Sequence, residues 1–287
     1  MALIDTQPLT GDTLTSALQV APGGQGPFVW ELTRSWPHRV LIGGVPSVYA
    51  ASKIVLRRLA RPLRVRIRSG PCAGMWFSLA TRTRFLRGSY ERKLAEFFQG
   101  GIQTGEVFWD AGAHFGYYTL LAAKAGARVH AFEPHAANRA FLEAHVRWNR
   151  LADRVTVHAC ALGESDGRVE FGAGRGSGSR TLGTGPRAVE VRSISSLVAA
   201  GECEPPDWLK VDVQGSEEQV LAGGERVLRE ASCAVACATH GPDLHERCTT
   251  RLEALGYVVL SGTARRVILA FGPGRTVPDV DIGAFDM

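Results

Sequence analysis

The chain has 287 residues, 45% of them hydrophobic, and a formal charge of +5 from 33 Lys and Arg against 28 Asp and Glu. That much apolar sequence buries a substantial core, so one large domain with an N-terminal extension is the default, and a charge excess this mild does not by itself imply a nucleic-acid partner. The six cysteines, Cys72, Cys160, Cys203, Cys233, Cys237 and Cys248, form no CxxC pair and read as reduced, buried thiols.

In chain order, residues 1–38 carry a Gly/Pro-rich patch at Pro22 to Pro27 and no sustained period, which predicts a loosely ordered extension. The N-terminus lacks the basic start and apolar core of a signal peptide, and no run of about 18 apolar residues can span a bilayer, so a cytoplasmic protein is expected. Residues 39–104 read as a cap of helix, β-hairpin and helix: a helix from Val45 to Ala60, then alternation in Leu63 to Arg68 and again in Met75 to Leu79 about a Gly70-Pro71 turn.

From Gly105 short β-branched runs alternate with helical segments, the signature of βαβ units, and residues 105–275 are expected to form a doubly wound α/β domain with a mostly parallel seven-stranded sheet. Strands are predicted at Glu106–Asp110, Arg128–Glu133, Val155–Ala159, Trp208–Val213, Ala234–Thr239, Tyr257–Leu260 and Arg266–Phe271. Helices are predicted at Tyr117–Ala125, Ala136–Asn149, Ser193–Ala200, Glu217–Arg229 and Leu244–Leu255. An antiparallel excursion, Arg168–Phe171 with Val189–Arg192, brackets a glycine-rich loop at Gly172–Gly185 that can close over a ligand. Residues 276–287 read as a tail.

The chemistry concentrates at the ends of the strands. The first strand enters its helix through Asp110-Ala111-Gly112-Ala113-His114-Phe115-Gly116, the ligand end of such a fold. Gly112 permits close approach of a ligand, Gly116 permits tight helix packing, and Asp110 can accept a hydrogen bond from the amine of a sulfonium amino acid. This spacing lacks the extra glycine of a GxGxxG turn, which disfavours a diphosphate. Glu133-Pro134 ends the second strand, and an acid about 20 residues past the glycines typically binds both ribose hydroxyls. Turn and acid together point to a nucleoside cofactor without a diphosphate. Ala161 and Leu162, at the third strand's exit, lie where an adenine edge would meet backbone amides, or else form an ordinary turn.

The fourth strand carries Lys210 and Asp212 on one side, costly inside a sheet unless used, with Glu217 opening the next helix. His240 follows the fifth strand and is a candidate general base, or a bystander. His114 and His135 flank the cofactor turn, where local hydrogen bonding is the simpler reading. No Ser/His/Asp or metal-ligand spacing appears, so no metal is expected.

From Gly88 to Phe271 the chain resembles the FkbM family of S-adenosyl-L-methionine (SAM) dependent methyltransferases. Asp110 to Gly116 is similar to that family's Asp-x-Gly-Ala-Asn-x-Gly turn, Phe132-Glu133-Pro134 to its ribose-binding Glu-Pro, and Lys210 to Glu217 to its Lys-x-Asp-x-Glu-Gly-x-Glu segment. Gly88-Ser89-Tyr90-Glu91 looks like the Gly-x-Tyr-Glu that precedes the first strand. The resemblance implies a Rossmann-like methyltransferase sheet, SAM as cofactor, and O-methylation of a hydroxyl on a saccharide, glycolipid or natural-product acceptor. His114 stands where the pattern has Asn, Gln214 where it has Glu, Ser195 where it supplies Asp, and Ala238 where an acid precedes the histidine, so a divergent acceptor is expected.

Methyl transfer to a hydroxyl calls for alignment and a base, and His240 or Asp212, with Lys210 orienting the latter, are the candidates. Two rival functions stand beside this one. Lys53, Arg57, Arg58, Arg61, Arg64, Arg66 and Arg68 form a basic run compatible with a nucleic-acid methyltransferase, with peripheral contact to anionic lipid, or with a solvated face. A catalytically idle scaffold that keeps the fold is the other.

Overall fold

In a computed structural model, residues 61–173, 180–182, 187–261 and 266–279 are described. The predicted helix at Val45–Ala60, the extension before it and most of the Gly172–Gly185 loop lie outside those residues. A short hairpin, β1 (Arg64–Arg66) with β2 (Trp76–Ser78), is followed by α1 (Thr83–Arg87) and α2 (Arg92–Gly101). The α/β body then runs β3 (Val107–Ala111), α3 (Tyr117–Ala125), β4 (Arg128–Phe132), α4 (Ala136–Trp148) and β5 (Val155–His158). After an excursion come α5 (Ile194–Ala199), β10 (Trp208–Val211), α6 (Glu217–Gly223), α7 (Glu225–Glu230), β11 (Ala234–Ala238), α8 (Pro242–Ala254), β12 (Val258–Ser261) and β13 (Val267–Phe271).

The seven strands lie in the order β12-β13-β11-β10-β3-β4-β5, and β13 alone runs antiparallel to both of its neighbours. The chain starts at the centre with β3, winds outward to β5, then returns to β10 on the other side, so the topological switch point falls between β3 and β10. In such sheets ligands bind outside the carboxyl ends at that point. The expected doubly wound, mostly parallel seven-stranded sheet is present.

Because helices cover both faces, the central strands are apolar on both sides. Val107, Trp109 and Ala111 of β3 pack into one core cluster with Leu209, Val211, Val235 and Ile268, while Phe108 joins Trp208, Ala236 and Leu269 in the other. The second cluster also takes in Ile67, Phe77, Phe85 and Phe98 from the hairpin, α1 and α2, which therefore cover the sheet face on which Asp110 and Lys210 lie. His145 of α4 fastens the hairpin to the first βα turn: its Nδ1–H donates to the Phe115 carbonyl at 2.7 Å and its Nε2 accepts from Ser78 N–H at 2.9 Å. Burial holds it neutral, with a pKa of about 4.

Two elements differ from the sequence reading. The single helix expected over Glu217–Arg229 is broken at Gly224 into α6 and α7, and both glycines there are required by close packing, since a Cβ at Gly223 would stand 2.0 Å from the Gly163 carbonyl oxygen and one at Gly224 2.8 Å from Ile194 Cδ1. Ala161 and Leu162 are not in an open turn but form a two-residue strand, β6. It pairs in parallel with β9 (Arg187–Arg192), in a second sheet with β7 (Gly167–Ala173) and β8 (Arg180–Leu182). The antiparallel pairing of β7 with β9 matches the expected excursion.

Candidate functional site

The β3–α3 turn is shaped by two glycines in left-handed backbone. Gly112 has φ +79°, and a Cβ there would stand 2.0 Å from the carbonyl oxygen of Asp212, so this residue must be glycine for the exits of β3 and β10 to close on each other. The predicted reason was approach of a ligand; the neighbouring backbone already requires it. At Gly116, φ +86°, a Cβ would meet Leu142 Cδ1 at 2.4 Å, in keeping with the predicted helix packing. The N–H groups of Gly112 and Ala113 both donate to the Phe132 carbonyl, His114 N–H donates to Glu133, and Gly116 N–H donates to Ala113. With its donors turned inward, the turn offers no nest for a phosphate.

Glu133 follows β4 directly and is 5% exposed. Its Oε2 accepts from His114 N–H and its Oε1 from His135 N–H, each at 2.8 Å, so the carboxylate is aimed by backbone and keeps further lone pairs for a diol. Burial pushes its pKa up to about 6, against the pull of those two N–H groups and of the Asn138 amide. His114 has φ +52°, a region where Asn is favoured among residues with a side chain beyond Cβ. Burial first, then the nearby Arg82, drives its imidazole down to about 3, so it is neutral and nearly non-basic.

On the other side of the switch point, parallel register sets Lys210 of β10 directly beside Asp110 of β3. Lys210 Nζ donates to Asp110 Oδ1 at 3.2 Å and lies 3.9 Å from Asp212 Oδ2. Burial works to lower the Lys210 ammonium, but Asp110, Asp212 and Glu91 outweigh it and hold the pKa above its ordinary value. Asp110 is fully buried, and Thr119 Oγ1 donates to its second oxygen at 2.7 Å. Both carboxylate oxygens are therefore engaged inside the protein, and Asp110 is placed to fix Lys210.

Around His240, which is the most open member of the group, four side chains interlock. His240 Nδ1 lies 3.0 Å from Glu217 Oε1, and its Nε2 lies 2.9 Å from the Gln214 amide nitrogen, which also donates to Asp212 Oδ1 at 2.9 Å. An amide donor on Nε2 leaves the ring proton on Nδ1, where the Glu217 carboxylate accepts it. Glu217 is fully buried and also accepts N–H bonds from Val213 and Gly215, so the loop leaving β10 wraps around its carboxylate. The hydrogen bond to Glu217 raises the His240 pKa above its ordinary value despite partial burial. Gln214 itself has φ +62°, which turns its side chain back across the rim.

Sequence reasoning named Lys210, Asp212 and His240, and the fold brings them together. Glu217 carries more than helix-dipole stabilisation, since its carboxylate orients His240. Ser195 is not among this group: it lies in α5, where its carbonyl accepts from Arg226 Nη2 at 3.2 Å. The reading missed a floor of Tyr90, Glu91 and Tyr118. Tyr118 Oη donates to Glu91 Oε2 at 2.6 Å, and the Lys210 ammonium stands 5.3 Å from the Tyr118 ring centroid. Burial raises the Glu91 carboxyl, opposed by hydrogen bonds from the two tyrosines. The signal was available in the Gly88 to Glu91 motif, which the sequence alone does not connect to the strands. Two groups among the described residues bring together side chains that can ligate a metal: Asp212, Glu217 and His240, and, elsewhere, His130, His158 and Cys203.

A doubly wound α/β sheet with a satisfied glycine turn, a buried acid after the second strand and a polar cluster across the switch point is the Rossmann-like arrangement expected of a methyltransferase. The family model of the methyltransferase FkbM domain matches residues 110–259, which is more than half of the chain, and the chain belongs to that family of methyltransferases. It is similar to the hexuronic acid methyltransferase AglP of Haloferax volcanii, at 27% identity over 165 residues, 56% of this chain and 67% of the relative. Among solved structures it resembles the methyltransferase FkbM of Methylobacillus flagellatus, at 18% identity and TM-score 0.46, covering 78% of this chain and 60% of that one. It also resembles a SAM-dependent O-methyltransferase of Thermotoga maritima, at 13% identity and TM-score 0.42, covering 65% and 67%. The six cysteines are all free and buried, and no helix among the described residues is long and apolar enough to cross a membrane.

Proposed function

We propose that the chain is a SAM-dependent O-methyltransferase that acts on a hydroxyl of a saccharide or saccharide-linked acceptor. The observation that carries this reading is the His240–Glu217 pair, open to the rim, on the far side of the switch point from a buried ribose-type acid. The name of the Haloferax relative adds a hexuronic acid as the first acceptor to try.

SAM supplies an electrophilic methyl whose C–S bond breaks as the C–O bond forms. For this chain the task is to hold, align and deprotonate. Glu133 accepts from the two ribose hydroxyls, and the Ala161–Leu162 segment borders the adenine. His240 Nε2 takes the proton of the acceptor hydroxyl as that oxygen attacks, and Glu217 stabilises the resulting imidazolium through Nδ1–H. The Gln214 amide, which caps Nε2 before the acceptor arrives, moves onto the acceptor oxygen or stays with Asp212. Lys210 and Asp212 set the charge of the acceptor side, and Asp110 holds Lys210 in place.

Of the basic run, Arg61, Arg64, Arg66 and Arg68 are described: Arg64 and Arg66 both stack on Trp76, at 5.0 and 4.8 Å, and Arg61 stacks on Phe141. The test is calorimetry with SAM and its demethylated product, followed by methyl transfer from labelled SAM to uronic-acid glycans. Binding of both nucleosides and labelled glycan are expected. A protein that ignores both nucleosides is not a SAM enzyme, and one that binds them but labels RNA instead overturns the acceptor class.

A further inference from the structure

On the sheet face opposite Lys210, away from the chemistry above, three donor atoms from three separate elements converge. His130 lies in β4, His158 ends β5, and Cys203 belongs to the connection between α5 and β10. His130 Nδ1 is 3.0 Å from His158 Nε2, and Cys203 Sγ is 3.7 Å from the same His158 nitrogen. All three donor atoms lie within 4.8 Å of one another. From these contacts we infer that His130 Nδ1, His158 Nε2 and Cys203 Sγ form a binding site for a zinc-type divalent ion, oriented by Glu204.

The spacings suit such an ion. Zinc–nitrogen and zinc–sulfur bonds of about 2.0 and 2.3 Å at tetrahedral angles place nitrogens about 3.3 Å apart and a nitrogen about 3.5 Å from the sulfur. The His130–His158 and His158–Cys203 separations, 3.0 and 3.7 Å, differ from those edges by a few tenths of an ångström. Two imidazoles and a thiolate are the donor set of a borderline-soft ion, not of magnesium or calcium. The surroundings follow the same pattern. His130 Nε2, the nitrogen on the far side of the ring, lies 3.0 Å from Glu204 Oε2, and Arg128 pairs with the other Glu204 oxygen at 2.8 Å. A carboxylate on the outer nitrogen of a ligating histidine fixes the tautomer and aims the inner lone pair at the metal. His158 is stacked on Phe132, with centroids 4.5 Å apart and planes 13° apart, which fixes its ring. Cys203 and His130 are buried at 4% and 8% exposure, while His158 is half-buried and leaves a path from solvent.

Without an ion, one of the two facing nitrogens donates its proton to the other at 3.0 Å, and the thiol at 3.7 Å adds a weak contact to that pair. On binding, the Zn–S bond would form as the Cys203 thiol proton leaves to the buffer. The ion would staple the connection between α5 and β10 to the sheet. It would also stand behind the ribose acid, because the His158 carbonyl accepts from Glu133 N–H at 3.2 Å.

The experiment is metal analysis of the full chain, then replacement with cobalt(II). The protein is expected to retain one zinc per chain through dialysis, and its cobalt form to show the near-ultraviolet thiolate-to-metal band. Cys203→Ser should abolish that band, and Cys160→Ser should keep it. His240→Ala should also keep it, which separates this site from the oxygen-rich rim group that has no sulfur. Glu204→Ala should retain the band and weaken zinc by 10- to 100-fold. A cobalt form without the band, a band that survives Cys203→Ser, or a folded protein that takes up no zinc overturns the inference.

Discussion

His114 and His240 sit at the carboxyl ends of two strands of one sheet, on either side of the switch point, and their surroundings drive them in opposite directions. His114 is enclosed and shares its neighbourhood with Arg82, so its imidazole falls to about 3 and is a spectator to proton transfer. His240 stands half in solvent with Glu217 on Nδ1 and Asp212 3.8 Å away, so its imidazolium is favoured. A histidine near a cofactor turn is thus no candidate base merely by position. What makes one is an oriented carboxylate on one nitrogen and access to the other.

The sharpest way to break this comparison is to exchange the two roles. His240→Ala is expected to lose turnover by about 10²- to 10⁴-fold with SAM affinity unchanged, whereas His114→Asn, which keeps the left-handed turn, should keep most of both. Equal losses in single-turnover assays at saturating SAM would erase the distinction. Next in size is Asp110→Ala, which leaves the buried Lys210 charge without its neighbour and should cost about 3–5 kcal/mol in denaturant unfolding. A change below 1 kcal/mol would mean that Asp110 faces a ligand after all.

Glu133→Gln removes charge but keeps an acceptor, and about tenfold weaker SAM binding is expected, one charge-assisted hydrogen bond being worth about 1.4 kcal/mol more than a neutral one. In the parent protein, SAM affinity should fall as the pH drops through about 6, where Glu133 takes up its proton, and binding below that pH should release one. The smallest effect is a displacement in pH. Turnover needs neutral His240, so it should rise with pH through that group's elevated pKa, and Gln214→Glu, which adds a carboxylate, should move the rise to higher pH. Stability moves the other way. Because the folded pKa is raised, the stabilisation from the Glu217–His240 contact is complete below the unfolded value of about 6.5 and is lost as the pH climbs through the folded one. Glu217→Gln should flatten that decline in a pH series of thermal midpoints.

The central strands and the glycine turn were legible because they are local. Parallel strands buried on both faces must be largely apolar, and a strand that enters a helix through Gly112 and Gly116 leaves its own mark. Glu133 was legible for the same reason, standing one residue past a strand end. The close packing at the break between α6 and α7 was not, because the groups that require glycine there, the Gly163 carbonyl and Ile194, are distant in sequence from Gly223 and Gly224. Nor was β6, whose partner strand returns only after the excursion. That the Asp212 carbonyl also excludes a side chain at Gly112 was equally out of reach, since the two residues lie a hundred positions apart.

Residue type and order along the chain were enough to determine a doubly wound sheet, its rim and the carboxylate that follows its second strand, since hydrophobic period and turn chemistry act over a few residues. Which polar groups touch was decided by tertiary placement: Lys210 meets Asp110, and His130 meets His158, because neighbouring parallel strands bring together positions dozens of residues apart, and Cys203 reaches His158 from the connection before β10. The state of each histidine followed from that placement, because desolvation and the nearest carboxylate set its proton affinity, and both are properties of the packed molecule.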